Sequence, residues 1–145
     1  MGLDVGDRRT GVALSDELGI TARPLKTLKR RSREKDYREL LEIIKEYSVE
    51  EVVVGVPINL DGTRGERALK VQAFAEGLRE RTAARVSEWD ERFSTAAVTR
   101  VLIEADLSRN KRKEVVDRAA AVYILQGFLD HLRSATVLKR GLDSP

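Results

Sequence analysis

Short apolar runs separated by polar turns open the chain. Leu3–Gly6 and Thr10–Ser15 flank the polar triplet Asp7–Arg9, and a third extended stretch covers Ile20–Leu28. The composition of the triplet suits a hairpin turn. Because Pro24 has no backbone donor, the third stretch is predicted to be an edge strand or a strand end. Three strands in succession predict an antiparallel meander.

Helical and strand patterns then alternate. Apolar residues three and four apart predict a helix over Glu34–Tyr47, and the positions Ala68, Val71, Ala75 and Leu78 predict a second helix after the polar loop Asn59–Gly65. Between the two helices, Glu51–Pro57 is a continuous β-branched run, which is typical of a strand buried on both faces. Arg85–Trp89 is the fifth predicted strand.

The C-terminal third predicts two more helices. Ser94 or Thr95 can cap the first, whose apolar positions are Val98, Val101, Leu102 and Ala105. The second covers about Glu114–Leu132. We therefore predict one domain over residues 1–133 and a polar tail over residues 134–145. The element order predicts an α/β fold with a mixed five-stranded sheet, its first three strands antiparallel, and helices on both faces.

Composition narrows the class of protein. The 145 residues contain no cysteine, which excludes a disulfide framework and thiolate chemistry. No apolar run approaches the roughly 20 residues that span a bilayer, and the first residues lack the apolar core of a signal peptide. We expect a soluble cytoplasmic protein with no membrane partner.

Charge is uneven along the chain although the net charge is only +3. Lys26–Lys35 carries six basic residues and one acid, and Arg109–Lys113 adds four basic residues. The remainder of the chain is acidic. Two basic patches on an acidic body fit a phosphate backbone, because neutralised phosphates release counterions. Two solvated basic loops would give the same pattern.

The candidate chemistry rests on carboxylates, since the single histidine, His131, is expected at the surface and a Ser-His-Asp triad is hard to build. Asp4 interrupts the first apolar strand, Glu91 lies at a strand-to-helix junction, and Asp117 shares a helical stripe with Ala121 and Ile124. Each acid also has a structural alternative: local hydrogen bonds for Asp4, an ion pair with the adjacent arginine for Glu91, and a favourable helix-dipole position for Asp117.

If the three acids lie close together, their negative charges need bound cations. Mg²⁺ or Mn²⁺ fits such a cluster, because hard ions prefer carboxylate oxygens and keep water ligands. Two ions about 4 Å apart would activate a water and stabilise the leaving oxygen of a phosphodiester. The pattern therefore favours metal-dependent phosphodiester hydrolysis.

Four ordered motifs resemble the bacterial YqgF family, also called RuvX: LDVGDRRTGVA at Leu3–Ala13, VGVPINLDGT at Val54–Thr63, WDERFST at Trp89–Thr95 and VDRAAA at Val116–Ala121. The resemblance implies an RNase H-like fold and a nuclease that matures the 5′ end of precursor 16S rRNA, or a Holliday junction resolvase. Only three residues precede the motif aspartate, so the first strand is expected to be short, three or four residues against a typical 5–6.

Residue roles follow from the same resemblance. It implies that Asp4, Glu91 and Asp117 are metal ligands, that Asp90 is a further candidate ligand, and that the loop with Asn59, Asp61, Gly62 and Thr63 positions substrate. The residues predicted to bind nucleic acid are Arg8, Arg9, Arg64, Arg92, Lys111, Arg112 and Lys113.

Three functions remain open at this point. Processing of structured RNA, a ribosomal precursor, is the leading interpretation. A resolvase acting on branched DNA needs two symmetric active sites, so a stable dimer would favour it. A non-catalytic nucleic-acid-binding protein would keep the fold and the basic patches but cleave nothing. We expect a monomer or a weak homodimer.

Overall fold

A computed structural model describes the backbone of residues 1–93 and 109–143 and the side chains of residues 1–92 and 118–136. The strands are β1 (Gly2–Val5), β2 (Arg9–Ser15), β3 (Ala22–Lys29), β4 (Glu51–Val56) and β5 (Arg85–Asp90). The helices are α1 (Arg33–Glu46), α2 (Glu66–Arg79) and α3 (Arg109–Asp143), and a single 3₁₀ turn covers Glu91–Phe93. The helix predicted after Ser94 or Thr95 lies outside the described residues.

The five strands form one mixed sheet in the order β3-β2-β1-β4-β5. The hairpins β1–β2 and β2–β3 are antiparallel, whereas β1–β4 and β4–β5 are parallel pairs reached through α1 and α2. The predicted mixed sheet with an antiparallel start is confirmed. Strand β3 lies at one edge, the place that Pro24 predicted, and Pro24 pairs with Ala13 beside a bulge.

The larger core lies between the sheet and the helices α1 and α2. Tyr37 and Leu40 of α1 are each only 1% exposed. Tyr37 stacks on Phe74 of α2 with ring centroids 4.8 Å apart, and its hydroxyl donates to the Phe74 carbonyl at 3.0 Å. All four apolar positions predicted for α2 are buried. In α1 the residues Tyr37, Leu40 and Ile43 are buried, whereas Leu41 and Ile44, which the spacing of three and four also places on the apolar stripe, are only partly buried.

A smaller core lies on the opposite face, under α3. It contains Ala13 and Val53 from the sheet and Ala121, Ile124, Leu125 and Leu129 from the helix. Gly2 brings the helix close, because a Cβ at this position would lie 2.7 Å from the Cβ of Leu125 and 2.9 Å from the carbonyl oxygen of Ala121. The described helices thus cover both faces of the sheet.

Helix α3 corrects the predicted boundaries. The prediction of about Glu114–Leu132 is too short at both ends, since the helix begins at Arg109 and ends at Asp143. The basic run Arg109–Lys113 and most of the predicted polar tail are therefore helical. Lys, Arg, Ala and Leu are good helix formers, and no proline interrupts these segments. Within the described residues, no helix is both long and apolar enough to span a bilayer.

Candidate active site

Asp4 is buried near the carboxyl end of β1, where it is only 2% exposed. Side chains alternate along a strand, so Leu3 and Val5 enter the larger core while Gly2 and Asp4 face α3. Asp4 pairs with Gly11 on β2. Burial of an ionised carboxylate is costly unless the charge is paired or bound to a cation.

Gly55 of β4 lies beside Asp4 on the side of β1 that is opposite to β2. The parallel register pairs Leu3 with Val54, which brings the following residues, Asp4 and Gly55, level with each other. Both strands next to Asp4 therefore present glycine, which lets other groups approach the backbone closely at this level.

Glu91 reaches the same spot from the end of β5. It is 9% exposed and begins the 3₁₀ turn. A Cβ on Gly55 would lie 3.0 Å from Oε1 of Glu91 and 2.4 Å from Cδ1 of Ile124, so the carboxylate lies over Gly55 on the α3 face. Glu91 thus contacts β4, the strand next to the one that carries Asp4, on the same face of the sheet.

The third predicted acid belongs to the helix that covers this spot. Asp117 lies in α3, four residues before Ala121, whose carbonyl meets Gly2, and seven before Ile124, which contacts Gly55. The side chain of Asp117 lies outside the described residues, as do those of Lys111, Arg112 and Lys113. Among the side chains that are described, no group of three histidines or acids could hold a metal ion.

Asp90 is engaged by Arg92. Its Oδ2 accepts from Nη2 at 2.7 Å and from Nε at 3.0 Å, and its Oδ1 accepts from the Arg92 backbone N–H at 2.9 Å. The Arg92 hydrogen bonds hold the pKa of Asp90 below its usual range. Nη1 of Arg92 also donates to the carbonyls of Asn59, at 3.3 Å, and Leu60, at 3.5 Å. This ion pair thus braces the loop after β4 against the end of β5.

The loop itself is a tight turn built by its own polar side chains. The Asp61 carboxylate accepts from the Thr63 backbone N–H at 2.9 Å and from its hydroxyl at 2.6 Å, and the Asn59 amide donates to the same hydroxyl at 3.0 Å. The Thr63 hydrogen bonds lower the pKa of Asp61. Gly62 takes a φ of +87°, which glycine tolerates best. The sequence signal for this turn is the Asx pattern, Asp two residues before Thr.

The predicted nucleic-acid-binding arginines cluster at this edge of the sheet. Arg8 is exposed in the turn after β1, Arg9 is half-buried at the start of β2, and Arg64 is exposed in the loop after β4. Arg92 is exposed but already bonded to Asp90 and the loop. His131 is exposed, as predicted, and its ring lies 5.6 Å from that of Trp89.

Two features of the site escaped the sequence reasoning. Gly55 lies beneath the Glu91 carboxylate and Ile124 packs against the same glycine. In the sequence, both residues look like ordinary core positions. A glycine within a β-branched run is the one available signal, because it marks a close approach by another group.

Sequence comparisons identify the relatives of this chain. Residues 1–131 match the family model described as RuvX, Holliday junction resolvase. A protein of Desulforamulus reducens named "Putative pre-16S rRNA nuclease" is 53% identical over 130 residues, covering 90% of this chain and 95% of that protein. A protein of the same name from Clostridioides difficile is 53% identical over 130 residues, covering 90% of this chain and 92% of that protein. Another from Clostridium botulinum is 47% identical over 132 residues, covering 91% of this chain and 96% of that protein.

Solved structures show the same architecture at low sequence identity. RuvC of Thermus thermophilus in complex with a Holliday junction substrate matches with a TM-score of 0.62 and 16% identity, covering 93% of this chain and 95% of that one. The fowlpox virus resolvase in complex with Holliday junction DNA matches with a TM-score of 0.53 and 14% identity, covering 90% and 96%. The fold is RNase H-like, and the chain belongs to the RuvX (YqgF) family of nucleases.

Proposed function

We propose that this protein is a cytoplasmic, metal-dependent endonuclease that hydrolyses a phosphodiester bond during 5′-end processing of precursor 16S rRNA, a step of ribosome biogenesis. The observation that carries the proposal is the pair of buried carboxylates, Asp4 and Glu91, which share one face of the sheet over Gly55. Buried carboxylate oxygens on one face of a sheet suit a divalent cation, because hard ions prefer such ligands.

The donor set fits Mg²⁺ or Mn²⁺. Asp4 and Glu91 supply hard oxygen ligands, and Asp117 on α3 is proposed as the third. A bound divalent ion supplies an activated water and charge stabilisation for the leaving oxygen. The chain's own part is to hold these carboxylates still: Asp4 through strand pairing on both sides, and Glu91 through the 3₁₀ turn that follows β5.

Substrate would reach the acids at the carboxyl edge of the parallel strands. The turn after β1, the loop after β4 and the 3₁₀ turn after β5 all lie at this edge, where open α/β sheets bind ligands. Arg8, Arg9 and Arg64 are proposed to contact the phosphate backbone there, as are the basic residues of the first turns of α3, Lys111, Arg112 and Lys113. Such contacts position a nucleic acid without reading its sequence.

Holliday junction resolution is the second candidate. The fold likeness to RuvC and to the fowlpox virus resolvase, both solved with Holliday junctions, favours it. The three relatives at 47–53% identity, all named as pre-16S rRNA nucleases, favour the ribosomal precursor. A single cut in an RNA strand needs one active site, whereas a junction needs two placed by symmetry.

The acid pair is tested by Asp4→Asn and Glu91→Gln, with Glu88→Gln as the matched control, since Glu88 is an exposed acid of β5. In Mg²⁺, we expect cleavage of a precursor 16S rRNA fragment to fall about 10³-fold or more in both site variants, a loss of about 4 kcal/mol in transition-state stabilisation. The control should stay within about twofold of wild type. Full activity in Asp4→Asn would remove this pair from the mechanism.

The substrate is tested by offering the wild type a precursor 16S rRNA fragment and a four-way DNA junction under identical conditions. We expect metal-dependent cleavage of the RNA and loss of that activity in Asp4→Asn. Faster cleavage of the junction, together with a dimer in analytical ultracentrifugation, would favour the resolvase.

A further inference from the structure

A basic pocket lies at the same edge of the sheet but on the opposite face. It has a volume of about 270 Å³ and is enclosed by the turn after β1, the start of α1 and the first half of α2. Four of its lining residues are basic: Arg30, Arg33, Arg67 and Lys70. Asp7 is the one acid among the lining residues, and Val71 and Phe74 form an apolar wall.

Arg30 is fixed within this pocket. Its Nε donates to Oδ2 of Asp36 at 2.9 Å, its Nη1 donates to the Gly6 carbonyl at 2.7 Å, and its guanidinium lies 5.0 Å from the centre of the Phe74 ring. Asp36 is buried, and its second oxygen accepts from the Arg31 backbone N–H at 2.9 Å. Arg30 therefore ties the start of α1 to the end of β1 as part of the pocket's framework.

The remaining cations are available to a ligand. Arg33 and Arg67 are exposed and form no ion pair with any side chain that the structure describes. Lys70 pairs at 3.4 Å with Glu66, but both side chains are more than 60% exposed, so this pair is weak and separable. A pocket with two uncommitted guanidinium groups suits an oxyanion that accepts paired hydrogen bonds, as a phosphate group does.

The pocket and the acid pair lie on either side of one strand end. Asp4 faces α3, the next residue, Val5, lines the pocket, and Gly6 turns the chain immediately afterwards. A polynucleotide that crosses this edge can place one phosphate at the acids and another in the pocket. Resting on the proposed function, we infer that the pocket binds a backbone phosphate of the nucleic-acid substrate, other than the phosphate that is cleaved.

The inference is tested by Arg33→Gln/Arg67→Gln against the control Arg38→Gln/Arg85→Gln, which removes two exposed arginines outside the pocket. Binding of a precursor 16S rRNA fragment is measured in EDTA over a series of salt concentrations. We expect the pocket variant to bind about tenfold more weakly at low salt, with the slope of log K against log salt reduced by about 1. Equal slopes for the pocket and control variants would overturn the inference.

A second measurement separates a polynucleotide phosphate from a free one. Inorganic phosphate is added to the wild type at constant ionic strength, and the thermal midpoint is followed. Stabilisation by phosphate together with an unchanged RNA slope in the pocket variant would assign the pocket to a small anion and overturn the inference. Because the salt series contains no divalent ion, its result is independent of cleavage. Failure of the proposed function would instead show as the absence of metal-dependent cleavage of the RNA by the wild type.

Discussion

Along β1, the side chains of Leu3 and Val5 enter the core under α1 and α2, whereas Gly2 and Asp4 face α3. Strand β4 repeats the pattern, with Val54 and Val56 on the first face and Gly55 on the second. The first face is a continuous aliphatic and aromatic core. The second combines a small core with two glycines and a pair of buried acids.

The two faces of one sheet therefore differ in how tightly apolar side chains fill them. Apolar burial on the α1/α2 face contributes stability in proportion to the area removed from water. On the α3 face, glycine replaces side chains at the positions where the helix and the Glu91 carboxylate approach the backbone. The two faces should therefore respond differently to substitution. Two experiments test this difference and two more test the ion pair beside the α3 face, in order of decreasing expected effect on stability.

Leu40→Ala probes the α1/α2 face. Leu40 is 1% exposed, so its truncation should lower the free energy of unfolding by about 2–5 kcal/mol through lost burial and a residual cavity. Chemical denaturation measures the loss, with Leu69→Ala on the exposed side of α2 as the control. Cleavage per folded molecule should not change. A loss of activity beyond the unfolded fraction would contradict the separation of the two faces.

Gly55→Ala probes the α3 face. Its Cβ would lie 2.4 Å from Cδ1 of Ile124, and overpacking of this kind costs about 1–3 kcal/mol. The same Cβ presses on Glu91, so cleavage per folded molecule should also fall. Ile124→Val removes the closest atom, and in a double-mutant cycle it should recover part of the stability. Additive losses in the cycle would mean that Ile124 is not the group displaced.

Arg92→Lys tests whether this arginine braces the loop or binds nucleic acid. Lysine keeps the charge but loses the fork that reaches Asp90 and the Asn59 carbonyl. We expect local opening of the loop to become easier by about 1 kcal/mol, seen as faster hydrogen exchange at the Thr63 amide. Arg64→Lys is the control. Unchanged exchange with weaker RNA binding would assign Arg92 to the phosphate backbone instead.

Asp90→Asn tests the same ion pair by pH and should have the smallest effect. The pKa of Asp90 is lowered in the folded protein, so its stabilisation is present above the unfolded pKa of about 3.9 and is lost as the pH falls through the lower folded pKa. At neutral pH the variant should be less stable by about 0.2–1 kcal/mol. Denaturation curves should show a smaller difference in the free energy of unfolding between wild type and variant at pH 3 than at pH 7. An equal difference at both pH values would exclude the Asp90 charge as its cause.

Local sequence patterns predicted much of the fold. The buried stripe of α2, from Ala68 to Leu78, matches the predicted positions because helical spacing is a property of neighbouring residues. The predicted run Glu51–Pro57 forms β4 over Glu51–Val56, an interior strand of the sheet that is buried as its composition predicted. The predicted ends of α3 were wrong. At the start of the helix, the basic run contains no proline or glycine that would stop a helix.

Local patterns did not predict where the basic residues lie in space. The basic segment Lys26–Lys35 looks like one patch in the sequence, but the structure divides it: Lys26 and Lys29 lie along the exposed strand β3, Arg30 is bound to Asp36, and Arg33 lines the pocket. The division depends on the packing of α1 and α2 against the sheet, which no local spacing encodes.

By itself the sequence singled out Asp4 and Glu91 as candidate site residues and predicted most of the strands and helices, because charge and periodicity are local properties. The tertiary structure alone decided that both acids are buried on the α3 face of the sheet, Asp4 on β1 and Glu91 against Gly55 of the neighbouring strand β4. This placement follows from the parallel pairing of β1, β4 and β5, whose register is set by contacts between residues far apart in the chain.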